Sequence, residues 1–156
     1  MTVQYLFDTR KEVRSYWRHV DQDLKTFGIT MPEDPLILYI GCGWGYMLEF
    51  LTVNYRTIGL ELDDVLDKWK KHGHKNVVQG DAHDLPFPNS SVDIVFESGL
   101  FDPDVYNMNR ESIIQEVYRV LIPQGIFCYR DGDFPDKISR GLFQKQSRCM
   151  YTKISD

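Results

Sequence analysis

Leu36-Ile37-Leu38-Tyr39-Ile40-Gly41-Cys42-Gly43-Trp44-Gly45 is the stretch from which the rest of the chain is read. Five consecutive apolar residues, too few for a helix, describe a short buried strand. Glycines at alternate positions then end it abruptly. They permit a tight turn and let the backbone approach a ligand with no Cβ in the way. Helical patterning resumes at Tyr46 and continues to Val53 through Met47, Leu48, Phe50 and Leu51. The loop therefore opens a helix, whose free N–H groups attract anionic or electron-rich groups. Its pattern is G-x-G-x-G. A dinucleotide fingerprint would need glycine where Tyr46 stands, and no G-x-x-x-x-G-K-[ST] occurs anywhere in the chain.

Outward from this loop, strands and helices alternate. Thr57 to Leu60 reads as a second strand and Asp63 to His72 as a second helix, with Asp63 or Asp64 at its start. Val77-Val78 is a third strand and Val92 to Phe96 a fourth. A helix follows from about Arg110 to Leu121, then a turn at Ile122-Pro123-Gln124-Gly125 and a fifth strand from Ile126 to Tyr129. Upstream, Val13, Tyr16, Trp17, Val20, Leu24 and Phe27 recur at spacings of three and four, which predicts an amphipathic helix over 9–27 with Gly28 as its stop. Downstream, 136–143 is expected to be a short helix and 148–154 one edge strand. Short apolar strands between helices imply an α/β fold, a doubly wound and mostly parallel sheet with helices on both faces.

The bulk properties bound the function. With 156 residues, 42% hydrophobic and 26% charged, the chain is the size of one globular domain. No stretch approaches the ~20 apolar residues that span a bilayer. The N-terminus lacks the pattern of a secretory signal, so a cytoplasmic location is the expectation. A net charge of -5 is a poor match for a nucleic-acid duplex, and a small-molecule partner fits better. The local basic cluster of Lys68, Lys70, Lys71 and Lys75 with His72 and His74 reads as a solvated helix end. Three cysteines, Cys42, Cys128 and Cys149, without CxxC spacing give neither a disulfide framework nor a zinc site. Cys42 suits the loop because it is small, and nothing marks it as a nucleophile.

Ligands of such sheets gather at the carboxyl ends of the strands, which here are Gly41, Glu61, Asp81 and Glu97. Glu61 is suited to accept hydrogen bonds from both hydroxyls of a ribose, or else to cap the next helix. Asp81 suits an exocyclic adenine amine, with small Ala82 leaving room for a flat ring. As a loop aspartate it also suits a bond to its own backbone.

Leu38 to Gly45 resembles motif I of the class I S-adenosylmethionine-dependent methyltransferases. Ile58-Gly59-Leu60-Glu61 is similar to their second motif. Gly80-Asp81-Ala82-His83-Asp84-Leu85-Pro86-Phe87-Pro88, running into Val92 to Val95, is similar to the third and fourth. Glu116 to Gly125 resembles the helix and turn before strand five. The likeness covers roughly residues 36–130, in order and at family spacing.

The resemblance implies a Rossmann-like, small-molecule methyltransferase. S-adenosyl-L-methionine would be its cofactor and S-adenosyl-L-homocysteine the product. It places Gly41, Cys42 and Gly43 beneath the methionine part, Glu61 on the ribose, Leu62 on the ring, and Asp81 with Ala82 beside the adenine. Glu97, with Ser98, would face the methyl-bearing sulfur. Glu97 is the candidate for a catalytic role, with Tyr16 and His19 on the first helix behind it. Tyr16 reads first as a core aromatic and His19 as exposed. One domain over 1–156 is expected: a helical lid over 1–30, the core over 36–130 and a short extension over 131–156.

Two departures stand out. Tyr39 occupies the position where the family usually has an acid that helps to anchor the cofactor's amino-acid end. Only 26 residues follow Arg130, so the C-terminal strand pair is expected to be trimmed, or completed by a second subunit in a homodimer. A non-catalytic relative that binds the cofactor or a protein partner is the alternative these departures raise.

Overall fold

The computed structural model describes residues 10–43, 46–62, 76–97, 100–101, 109–129, 141–147 and 149–155. The expected helix over 63–72 and its basic cluster lie outside these residues, as do Trp44, Gly45, Ser98 and 136–140.

Helix α1 spans Arg10–Thr26, with Glu12 in its first turn and Lys25 in its last, each complementing the helix dipole. It closes on a Schellman turn. Gly28 adopts φ 65°, its N–H donates to the Lys25 carbonyl at 3.3 Å, and the Ile29 N–H donates to Leu24 at 2.9 Å. Strand β1 (Leu36–Ile40) leads to α2 (Tyr46–Asn54), then β2 (Arg56–Glu61), β3 (Val77–Gln79) and β4 (Val92–Glu97). Helix α3 (Arg110–Val120) runs without a break into β5 (Leu121–Cys128), followed by β6 (Phe143–Ser147) and β7 (Met150–Lys153).

The seven strands form one sheet in the order β3-β2-β1-β4-β5-β7-β6. Strands β1 to β5 are parallel, and β7 pairs antiparallel with both β5 and β6. The order reverses between β1 and β4, which is where open α/β sheets form their ligand crevice.

Alternation along the strands divides the core. Leu38, Ile40, Val95 and Phe127 face one layer with Ile113, Ile114, Val117 and Val120 of α3. Ile37, Tyr39, Ile94, Phe96, Ile126 and Cys128 face the other, against Val13, Trp17, Val20 and Leu24 of α1 and Met47, Leu48 and Leu51 of α2. Tyr16 packs edge-on to Phe96 at 5.9 Å, and Trp17 Nε1 donates to the Tyr55 hydroxyl at 2.8 Å. Helix α1 is thus a layer of the core.

The C-terminus departs from the sequence expectation. The chain supplies both antiparallel strands itself, so the sheet is neither trimmed nor short of a strand from a second subunit. Phe143 belongs to β6 and not to a helix. The reason is burial: Met150 and Tyr151 of β7 fill opposite faces beside β5, so even a short hairpin completes the sheet. The expected turn over 122–125 survives as an excursion within β5. Pairing jumps from Val92↔Leu121 to Ile94↔Ile126, and Gln124 adopts φ 62°. A Cβ on Gly125 would lie 2.8 Å from the Ile122 carbonyl, so only glycine fits there.

Arg119 fastens α3 to the loop after β3. Its guanidinium donates to both Glu116 oxygens at 2.7 Å, to the carbonyls of Phe87 and Leu85 at 2.8 and 2.9 Å, and to Asn89 Oδ1 at 2.9 Å. Glu116 Oε2 also accepts the Leu85 N–H at 2.8 Å. The Arg119 hydrogen bonds hold the Glu116 carboxyl below the usual carboxylate range. Because its folded-state value lies below the unfolded one, this contribution is complete above about pH 4.5 and is lost as pH falls further. Replacing Arg119 by Met is expected to lower stability by about 2–3 kcal/mol in urea denaturation at pH 7, by stranding Glu116 and two carbonyls. The loss should shrink toward pH 3.

Candidate active site

Four strand ends meet beside the reversal point. Strand β1 leaves the sheet through Gly41 at φ 60° and Gly43 at φ 48°. A Cβ on Gly41 would lie 2.9 Å from Leu100 Cδ1, so the turn is both left-handed and filled from above. The Cys42 N–H donates to the Leu60 carbonyl at 3.1 Å, and the side chain points down into the α1/α2 layer. Its Sγ sits against Gly59, where an added Cβ would meet it at 2.9 Å. Burial, then the negative charge of Glu61, pushes the Cys42 thiol far up. Its side chain is buried, which leaves its backbone at the strand end.

Glu61 ends β2 and ties the loop in place. Its Oε2 accepts the Gly43 N–H and its Oε1 the Leu62 N–H, each at 2.9 Å. A carboxylate has about four lone-pair sites, so two remain for further donors. Leu62 beside it is half-exposed, an apolar surface at the strand end.

Asp81 follows β3, and its Oδ1 accepts both the His83 N–H at 2.8 Å and His83 Nδ1 at 2.6 Å. These two bonds hold the carboxyl below its ordinary range. The loop-aspartate geometry anticipated as the alternative is therefore present on one oxygen, while Oδ2 has no partner among the described residues. Ala82 is buried against Leu60 and Leu85.

Glu97 closes β4, level with Ile40, and is wholly buried. Tyr39 turns into the α1 layer, with its ring edge-on to Phe96 at 5.0 Å. The place of the family's usual acid is thus taken by an aromatic cluster that would not tolerate an unpaired charge. His19 is exposed on α1, with its ring Nδ1 2.8 Å from the Ser15 carbonyl. No cluster of His, Cys, Asp or Glu suited to a metal occurs among the described residues. Nor is any helix among them long and apolar enough to cross a membrane.

Sequence reasoning singled out Gly41, Cys42, Gly43, Glu61, Leu62, Asp81, Ala82 and Glu97, and the fold brings all of them to one end of four adjacent strands. It missed His83, which bridges Asp81 to α3. The signal was the Asp81-Ala82-His83 spacing, which allows an i to i+2 side-chain bond.

The three thiols should report this packing. Burial pushes Cys128 up to about 12, and Cys42 lies beneath the loop, whereas Cys149 is half-buried. A disulfide reagent at pH 8 is expected to modify one thiol in the native protein and three after denaturation. Mass spectrometry should locate the native label on Cys149.

A family model described as a methyltransferase domain matches residues 38–129. A fatty-acid O-methyltransferase of Mycolicibacterium smegmatis is 36% identical over 110 residues, covering 64% of this chain and 38% of that protein. A phthiotriol/phenolphthiotriol dimycocerosates methyltransferase of Mycobacterium tuberculosis is 32% identical over 105 residues, covering 61% and 37%. The chain thus spans less than two-fifths of the length of these curated relatives. Among solved structures, a SAM-dependent methyltransferase from Archaeoglobus fulgidus superposes with a TM-score of 0.60 at 19% identity, covering 87% of this chain and 70% of that one. With the matched model spanning the glycine loop, the carboxylate strand ends and the clamped helix, this chain belongs to the class I S-adenosylmethionine-dependent methyltransferase family.

Proposed function

We propose that this domain transfers a methyl group from S-adenosylmethionine to a small-molecule acceptor. The observation that carries the reading is the Glu61 carboxylate bonded to the Gly43 amide, which joins a ribose-type acceptor to a left-handed glycine loop at adjacent strand ends. The residues fit the cofactor by their chemistry. Glycine backbone suits the methionine part, Glu61 the two ribose hydroxyls, Leu62 and Ala82 the flat ring, and Asp81 Oδ2 an exocyclic amine.

The bound sulfonium supplies an activated methyl group with a good leaving group. What the protein adds is alignment and exclusion of water, for which ~7–11 kcal/mol is available in favourable intramolecular systems. A base is needed only when the acceptor must lose a proton. Glu97 is wholly buried at the end of β4. An acceptor already deprotonated near neutral pH, such as a carboxylate on an apolar acyl chain, needs no such base. The relative named as a fatty-acid O-methyltransferase supports placing such acids first in an acceptor screen. The overall charge of -5 continues to favour a small molecule over nucleic acid.

A second reading, cofactor binding without turnover, is favoured by Tyr39, which fills the usual acid position with a buried ring. Calorimetric titration with S-adenosylmethionine and S-adenosylhomocysteine tests both readings. Saturable one-site binding is expected, weakened at least about tenfold, or about 1.4 kcal/mol, by Glu61→Ala. Absence of binding to the folded protein overturns the methyltransferase reading. Binding with no methylated product across the acceptor screen selects the second.

A further inference from the structure

Helix α3 begins with an incomplete capping box. Asn109 is its N-cap, and Asn109 Oδ1 accepts the Ser112 N–H at 3.2 Å. In a complete box, a Glu or Gln at the position of Ser112 would reach back to the N-cap's own N–H. Here the Asn109 N–H goes elsewhere, to His83 Nε2 at 3.1 Å. A ring nitrogen that accepts a backbone N–H carries no proton of its own. In the neutral ring, the proton then sits on Nδ1, which faces Asp81 Oδ1 at 2.6 Å. One imidazole therefore completes the helix cap and donates to the carboxylate after β3.

The consequence falls on Asp81. With Oδ1 held by the His83 backbone and ring, the carboxylate is turned about a fixed axis and leaves Oδ2 as its available acceptor. We propose that His83 is a positioning residue for base recognition: it aims Asp81 Oδ2 at the exocyclic amine of the adenine ring, with its tautomer set by the N-cap amide of α3. This rests on the cofactor reading above. Selection for adenine over a base with a carbonyl oxygen at that position then depends on a residue that never touches the ligand.

The test compares S-adenosylhomocysteine with S-inosylhomocysteine, whose ring carries a carbonyl oxygen in place of the amine. Wild-type protein is expected to prefer the adenosyl ligand by about tenfold or more, because the carboxylate accepts from an amine and repels a carbonyl. His83→Phe should reduce that preference at least about threefold. His83→Gln, whose amide has both a donor and an acceptor, should retain most of it. A purely structural role would weaken both ligands equally and leave their ratio unchanged.

Nitrogen-15 spectra of the wild-type histidines give a readout independent of how the variants fold. They should show His83 protonated at Nδ1 and not at Nε2. An unchanged ratio in His83→Phe, a wild-type protein indifferent to the base, or an Nε2-protonated ring overturns the inference and leaves the cofactor reading intact. Wild-type protein that binds neither ligand overturns the cofactor reading, and the inference with it.

Discussion

Strand β1 is hydrogen-bonded along both edges, to β2 and to β4, and covered on both faces. A chain emerging from such a position has no room to continue straight and no lateral exit, so it must turn within one or two residues. Gly41 and Gly43 accept the left-handed conformations that this turn demands. Cys42, between them, points down and plugs the gap above Gly59. Any larger side chain there would lift the loop from the sheet, and any Cβ on Gly41 would meet Leu100. The candidate site is the direct consequence of burying a strand on all four sides.

The remaining parts of the site are held to this loop by polar ties. Glu61 crosses from β2 and accepts the Gly43 N–H with a charged carboxylate oxygen. Asp93 reaches from β4 to the Leu36 N–H at 2.8 Å and secures the start of β1. The Arg119–Glu116 pair serves the β3 side, where backbone alone would not fix the segment from Leu85 to Asn89. Short β3 contributes only three residues, and the loop that follows it is tied to α3 by the hydrogen bonds of Glu116 and Arg119. His83 extends the same logic to the first turn of α3. The ends of β2 and β3 are thus fastened to different neighbours.

Much of this architecture is legible before folding. Leu36 to Ile40 reads as a buried strand because apolar residues alternate between two helical layers, and the structure assigns Leu38 and Ile40 to one and Ile37 and Tyr39 to the other. The face of α1 is legible for the same reason: Val13, Trp17, Val20 and Leu24 fall at helical spacing and all are buried. Of the C-terminal hairpin, the strand expected over 148–154 is present as β7, inside the sheet and not at its edge, whereas β6 was not legible. Phe143 to Ser147 carries Gln, Lys and Ser at an outer edge, where no alternation of apolar residues is required. Its strand character comes from pairing with β7, a partner that sequence spacing does not name.

Local chemistry determined the class of the site: glycines at a strand end, carboxylates at the next two, and a helix opening after the loop. Each of these is a property of a few adjacent residues, and hydrophobic periodicity places them at strand termini. Which oxygen of Glu61 or Asp81 is already engaged, where Tyr39 turns, and which histidine nitrogen carries a proton depend on contacts across long separations. The Asn109 amide and the His83 ring are 26 residues apart, and Arg119 and Phe87 are 32 apart. Such contacts exist only once the sheet order is set, because the order decides which strand ends become neighbours. The sequence determined what groups stand at the site, and the tertiary structure decided how they are aimed.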